Sequence, residues 1–250
     1  MNKTTMAALA ALALGGAVPA QAQTQTPTPT AERPAIKAGD SWVYRDTKEI
    51  GPSGWTQTRD DLTVTRVTSS SVYYTTHQAG SSQPTRDVVI GADWSLVRNV
   101  NGKETTVNQP LAFPLSAGKT WTIEYHEDHP NKAHRFEEWK AVYTVVGVEK
   151  VTVPAGTFDA IKVEAEGHWR AELEPSNTVV QGAQVTAGAT SMQTEARKVR
   201  AEPIEGRTYK AFWYVPAQRR WVKSVEEYYA GNGVRNERYT SELESSKLAD

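Results

Sequence analysis

From residue 36 into the 240s, apolar and polar residues alternate with a period of two. The apolar positions are rich in Val, Ile, Trp and Tyr, the pattern of strands with one buried face. Trp42 and Tyr44 share a face, as do Leu62 with Val64 and Val72 with Tyr74. Val88 with Ile90, Trp94 with Leu96, and Trp121 with Ile123 and Tyr125 continue the series. Trp139, Ala141, Tyr143 and Val145 open a long run toward Val153, and Ile161 to Trp169 makes another. Trp213, Val215, Trp221 and Val225 close it. Turn signals fall between the runs, among them Gly51-Pro52-Ser53-Gly54, Asn101-Gly102, Pro154-Ala155-Gly156 and Gly231-Asn232-Gly233. No long segment keeps a helical period. Clean alternation favours antiparallel pairing, so the pattern predicts a single all-β antiparallel domain over residues 36–246.

Residues 173–207 break the alternation, and 177–190 are rich in Gly, Ala and Thr. Met192, Ala196 and Val199 have helical spacing, and Thr190 with Gln193 is placed like a capping box. The segment reads as a short helix, a ragged hairpin or an insertion of low order, and the last is favoured. A second feature is an internal echo. Ala38-Gly39-Asp40-Ser41-Trp42 resembles Ala117-Gly118-Lys119-Thr120-Trp121, and each opens an alternating run. Glycine permits the tight turn and Trp plugs the end of a core. Two related halves are expected, roughly 37–110 and 111–240, set against a chance match of a short motif.

The N-terminus changes the picture of where the protein works. Lys3, an apolar run from Met6 to Val18, and Pro19-Ala20-Gln21-Ala22 form a secretory signal with cleavage expected after Ala22. The run is too short to span a bilayer. Thr24–Pro34, nearly devoid of apolar residues, reads as part of a disordered linker over 23–35. A periplasmic location is expected, with full secretion as the alternative. The 250-residue chain has 28 basic and 29 acidic side chains; the signal carries one lysine and no acid, so the remaining 228 residues bear −2. Neither nucleic-acid binding nor polybasic membrane attachment fits that charge, and stable membrane insertion is not expected. The chain has no cysteine, which excludes disulfides, a thiol nucleophile and an N-terminal lipid-anchoring cysteine.

Val151-Thr152-Val153-Pro154-Ala155-Gly156-Thr157-Phe158 resembles a hairpin of TapB-like and related uncharacterised bacterial envelope proteins. Trp213-Tyr214-Val215-Pro216, then Trp221-Val222-Lys223, and the opening Gly39-Asp40-Ser41-Trp42-Val43-Tyr44 are similar too. The resemblance spans most of the chain after the signal and implies a strongly curved antiparallel sheet or half-open barrel. It carries over no catalytic residues. This chain departs from the pattern at Ala217-Gln218-Arg219-Arg220, where a glycine-containing turn is expected.

Candidate chemistry is sparse. His126, His129 and His134, with Glu127 and Asp128, form the one cluster resembling a metal site. On a strand, positions 126 and 129 face opposite ways, so a solvated hairpin tip is the better reading and no cofactor is expected. Gly118-Lys119-Thr120 lacks the first glycine of a phosphate loop and precedes a strand. There is no Gly-x-Ser-x-Gly elbow. Glu164 with Glu166, and Glu172 with Glu174, each share a strand face and could supply an acid pair for glycoside hydrolysis, though a solvated sheet face is their ordinary use.

Eight Trp in one domain is generous. Most of them fill the core, but the mouth of a half-open barrel also holds ligands. The leading expectation is a non-enzymatic exported protein that offers an apolar concave face to a hydrophobic, lipid-like ligand or an envelope component. Its lining would be Trp42, Tyr44, Trp121, Tyr125, Trp139, Tyr143, Trp169 and Trp213. The alternatives are an envelope-protein interaction module, docking through a sheet edge or the insertion, and a polysaccharide hydrolase using the carboxylates above.

Overall fold

The computed structural model describes residues 30–174, 176–186, 189–199 and 203–250. The signal segment, its cleavage site and most of the linker lie outside these residues. The chain enters with a two-residue strand, β1 (Thr30–Ala31). A meander follows: β2 (Ser41–Ile50), β3 (Trp55–Val67), β4 (Ser71–Gln78) and β5 (Arg86–Gly91). A crossing segment then carries the hairpin β6 (Leu96–Val100) and β7 (Lys103–Asn108) and the short β8 (Leu115–Ser116). The second meander opens with β9 (Thr120–Asp128), β10 (His134–Val153) and β11 (Gly156–Leu173). A separate hairpin, β12 (Ser176–Thr186) and β13 (Ala189–Val199), precedes β14 (Pro203–Val215), β15 (Arg220–Ala230) and β16 (Arg235–Lys247).

Ten strands make one antiparallel sheet in the order β5-β4-β3-β2-β16-β15-β14-β11-β10-β9. The chain works outward from β2 to one edge, crosses to the other edge at β9, and returns until β16 lies beside β2. The sheet is strongly curved and does not close into a barrel. Strand alternation puts Trp42, Tyr143, Val163, Phe212 and Leu243 on its concave face, all fully or nearly fully buried.

Two devices fill that concavity. The crossing segment from β5 to β9 brings Trp94, Leu111 and Leu115 into the same core. The long β10–β11 hairpin bends at a bulge between Val145 and Gly147, where Gly147 has φ +145. Beyond the bend Val151, Val153 and Ile161 are buried, and the Ala155 amide at the tip donates to the Leu243 carbonyl at 2.9 Å. Without the bulge the hairpin would run straight past the sheet; bulges bend strands in this way.

The echoed motifs fold alike. Gly39 N–H donates to Val64 O, and Gly118 N–H to Val145 O, both at 2.8 Å. The return bonds, Val64 N–H to Asp40 O at 2.8 Å and Val145 N–H to Lys119 O at 2.9 Å, also correspond. Both glycines sit in the left-handed region, at φ +93 and +80, where a Cβ is strained.

Two boundaries differ from the sequence reading. Thr30 and Ala31, inside the expected linker, pair with Ser116 and Leu115, and Ala31 is only 5% exposed; its methyl is small enough to tuck under the crossing segment. Of the stretch 173–207, Pro203–Arg207 pair with β11 in the main sheet. Within the same stretch Ser176–Thr186 and Ala189–Val199 pair with each other as an antiparallel ladder, the hairpin among the three alternatives rather than the helix.

Candidate functional site

The expected lining residues divide into three groups. Trp42, Tyr44, Trp121 and Tyr143 face the concavity, and the chain itself engages them. Trp42 Nε1 donates to Gln218 O at 3.0 Å, and Tyr44 Oη to Trp221 O at 2.5 Å. Trp121 Nε1 donates to Gln109 O at 2.9 Å, and its ring stacks on Tyr143 at 5.3 Å. Tyr143 Oη donates to Asn108 Oδ1 at 2.8 Å. These bonds hold the crossing segment and the β14–β15 turn onto the sheet, so burial of large rings here costs no unsatisfied polar group.

Trp213 is set apart. It is buried in the run Ala211–Val215, belongs to the core cluster, and pairs with Lys162 on β11 and Lys223 on β15. Lys162 and Lys223 reach over its ring, with their ammonium groups 5.2 and 5.8 Å from the centroid. Aliphatic lysine stems covering an indole add to its burial.

Tyr125, Trp139 and Trp169 form the third group, a cross-strand row of rings over β9, β10 and β11. Neighbouring centroids lie 6.4 and 6.2 Å apart. The next position across the sheet is Gly206, opposite Trp169. A Cβ there would stand 2.7 Å from Trp169 Nε1, so glycine is what lets the indole lie across β14. The three rings border an open cleft of about 680 Å³ with Glu138, Arg170 and Arg207 on its rim.

A second pocket, of about 420 Å³, lies on the concave face between the sheet and the crossing segment. Leu62, Val88, Ile90, Leu96 and Phe212 give it apolar walls. Arg220 enters it only 8% exposed, with its guanidinium carbon 4.2 Å from the ring centres of both Trp94 and Trp221. Such stacking substitutes for water around a guanidinium. Among the described residues it makes no ion pair, and Nε and Nη1 are buried without a hydrogen-bond partner. Asp46 and Asp60 line the same pocket, and Ser241 Oγ donates to Asp46 Oδ1. Burial, with the neighbouring Asp60 carboxyl, pushes Asp46 up to about 6, against the opposing pull of Ser241 and Arg220. Burial likewise pushes Tyr44 up to about 12. Glu226, also in the lining, pairs with Lys210 at 2.8 Å. Burial alone would lower the Lys210 ammonium, but Glu226 outweighs it and the net shift is upward.

The sequence reading missed Arg220, Asp46 and Asp60. The one available signal was the departure at 217–220: Arg219–Arg220 stand where a glycine turn was expected. Arg219 itself supplies the left-handed residue, at φ +58, and Arg220 is thereby aimed inward.

The histidines do not converge. His126 pairs with Asp128 at 2.9 Å and Glu138 at 3.4 Å, His129 with Glu174 at 3.1 Å, and His134 with Glu137 at 2.5 Å. Among the described residues no group of three His, Asp or Glu is placed to hold a metal ion. Of the carboxylates considered for hydrolysis, Glu164 accepts from Tyr209 at 2.8 Å and pairs with Lys162, and Glu172 pairs with Arg135. With Glu166 they alternate with the buried Val163, Ala165 and Ala171 and so lie on the convex face, opposite the pocket.

No family model and no curated protein matches the chain. Two solved structures are similar. One is of a protein named as a lipoprotein from Parabacteroides distasonis ATCC 8503, at 18% identity and a TM-score of 0.45, covering 88% of this chain and 100% of that one. The other is of a protein named as an exported protein with a YmcC-like fold from Bacteroides fragilis NCTC 9343, at 16% identity and a TM-score of 0.37, covering 87% and 99%.

Proposed function

We propose that this chain is an exported, non-enzymatic binding protein of the bacterial periplasm. It holds an apolar, lipid-like ligand on the concave face of its curved sheet. Export rests on the N-terminal signal. The observation that carries the binding reading is the inner pocket. The crossing segment and the bent β10–β11 hairpin fill most of the concavity, yet about 420 Å³ between apolar walls is left open. That volume lies within the range of small-ligand sites. The rim cleft at Tyr125, Trp139 and Trp169 is a second apolar surface from which a chain could enter.

Native mass spectrometry of protein purified gently from a periplasmic extract tests this. A stoichiometric apolar adduct is expected, lost on Ile90→Trp, which fills the pocket, while the circular dichroism is unchanged. A clean apo mass, with no uptake of added lipids, would remove the reading.

One observation favours a second reading, an interaction module. The β12–β13 ladder does not join the main sheet, so it could dock a partner without disturbing the core. Deleting 177–200 should leave an adduct in place under the ligand reading and abolish a co-purifying partner under the docking reading.

A further inference from the structure

We propose that the inner pocket selects ligands whose apolar chain ends in an uncharged head bearing several hydroxyl groups, such as a monoglyceride or an alkyl glycoside; this rests on the binding reading above.

The polar groups of this pocket lie together against its apolar walls. Arg220 offers donors only, and two of its buried nitrogens have no acceptor among the described residues. Asp46 and Asp60 offer acceptors, and neither is in an ion pair among the described residues. Ser224 and Asn108, also in the lining, can do both. A buried, incompletely satisfied guanidinium beside a half-buried pair of carboxyls is expensive to leave dry. A head with several hydroxyl groups answers both at once, since each hydroxyl donates to a carboxylate and accepts from the guanidinium.

Charge argues against the two simpler heads. A carboxylate head would gain Arg220 but meet Asp46, Asp60 and Glu226, with only Glu226 already neutralised, by Lys210. An ammonium head would gain Asp46 and Asp60 but meet the Arg220 guanidinium, which already packs against the Trp94 and Trp221 indoles. An uncharged head meets no like charge in either direction. The walls fit the remainder: Tyr44 and Trp221 beside the polar groups can face the apolar side of a sugar ring or glycerol backbone, and Val88, Ile90 and Leu96 take the chain.

The test is a binding series on the full protein with one eight-carbon tail and varied heads, below micelle-forming concentrations. The heads are octyl glucoside, monooctanoylglycerol, 1-octanol, octanoate and octylamine, read by tryptophan fluorescence and calorimetry. One or both polyol ligands should bind about tenfold or more tighter than octanol, octanoate and octylamine, and which of the two binds better tells glycoside from glyceride. In Asp60→Asn, polyol binding should weaken about tenfold and octanol binding, with its single hydroxyl, by less. Preference for octanoate or octylamine would overturn the head assignment and leave the apolar site standing. So would equal binding of all five. Binding of none would remove the ligand reading itself. The ligand series on the unaltered protein decides the matter even if the variant fails to fold.

Discussion

The Trp94 indole covers the Arg220 guanidinium at 4.2 Å while its own Nε1 donates to Arg219 O at 3.1 Å. One side chain from the crossing segment therefore holds two consecutive residues at the start of β15. Trp94 also meets Trp42 edge-on at 5.5 Å and Trp221 at 5.9 Å. Trp94→Ala should cost about 3–5 kcal/mol, the range for removing a buried Trp, as read by urea denaturation. Trp94→Phe keeps the ring contact but leaves the Arg219 carbonyl without its donor, and should cost about 1 kcal/mol. Equal losses in the two variants would show that ring burial is not the larger contribution.

The Asp46 shift sets a direction for the dependence of stability on pH. Its folded value of about 6 stands above the ordinary 3.8, so the folded protein holds this proton more tightly than the unfolded chain. Stability should fall as pH rises through that window, with the full penalty present above it. Glu242 acts in the opposite sense. Burial would raise it, but Arg45 and Lys223 hold it below its ordinary 4.5; its contribution is present above that value and is lost as pH falls below it. Denaturation curves from pH 4 to 7 for Asp46→Asn should lose the downward slope of the unaltered protein. An unchanged slope would place the responsible proton elsewhere.

Gly206 tests the aromatic row. A Cβ at this position would come within 2.2 Å of Tyr229 O and 2.7 Å of Trp169 Nε1. The first contact is with backbone and cannot swing away, so Gly206→Ala should cost about 1–3 kcal/mol and shift the tryptophan emission as Trp169 is displaced. Gly231→Ala is the control: its nearest neighbour would be Glu205 O at 3.4 Å, and only a small change is expected.

Asp40 is fully buried and gathers three donors. Lys37 N–H donates to Oδ2 at 2.9 Å, and Ala249 N–H and Arg219 Nη1 donate to Oδ1 at 2.9 and 2.7 Å. It thus ties the turn before β2, the turn before β15 and the end of the chain. Removing one partner of a buried pair strands the other, so Asp40→Ala should lose about 3–5 kcal/mol in thermal or urea unfolding. Asp40→Asn should lose less, because it keeps an acceptor.

Legibility followed alternation. Trp42, Tyr44, Trp121 and Tyr143 were readable as inward-facing because each sits in an unbroken period-two run. The echoed turn was readable because Gly39 and Gly118 perform the same backbone task. Trp213 was harder to place because Phe212 and Trp213 are adjacent apolar residues and both are buried; the register shift at Trp213/Tyr214 further blurs the period. The polar groups of the inner pocket were not readable at all. Asp46 and Asp60 fall in stretches that look like ordinary solvated strand ends, and they meet only because β2 and β3 pair in the observed register. Arg220 looks like one more surface cation until the left-handed Arg219 turns it inward.

The seam between β2 and β16 fixes the order in which the sheet can be completed. Arg45 and Glu242, paired across it at 2.7 Å, are 197 residues apart in sequence. As the chain emerges from a ribosome or a translocation pore, β2 to β5 can pair among themselves, but β2 lacks its inner neighbour until the last long strand has appeared. The closing step therefore carries a large loop-closure cost and makes for slow folding of the whole sheet. Until then β2 presents an unpaired edge open to other chains, which makes this the stage of the protein's life most exposed to aggregation.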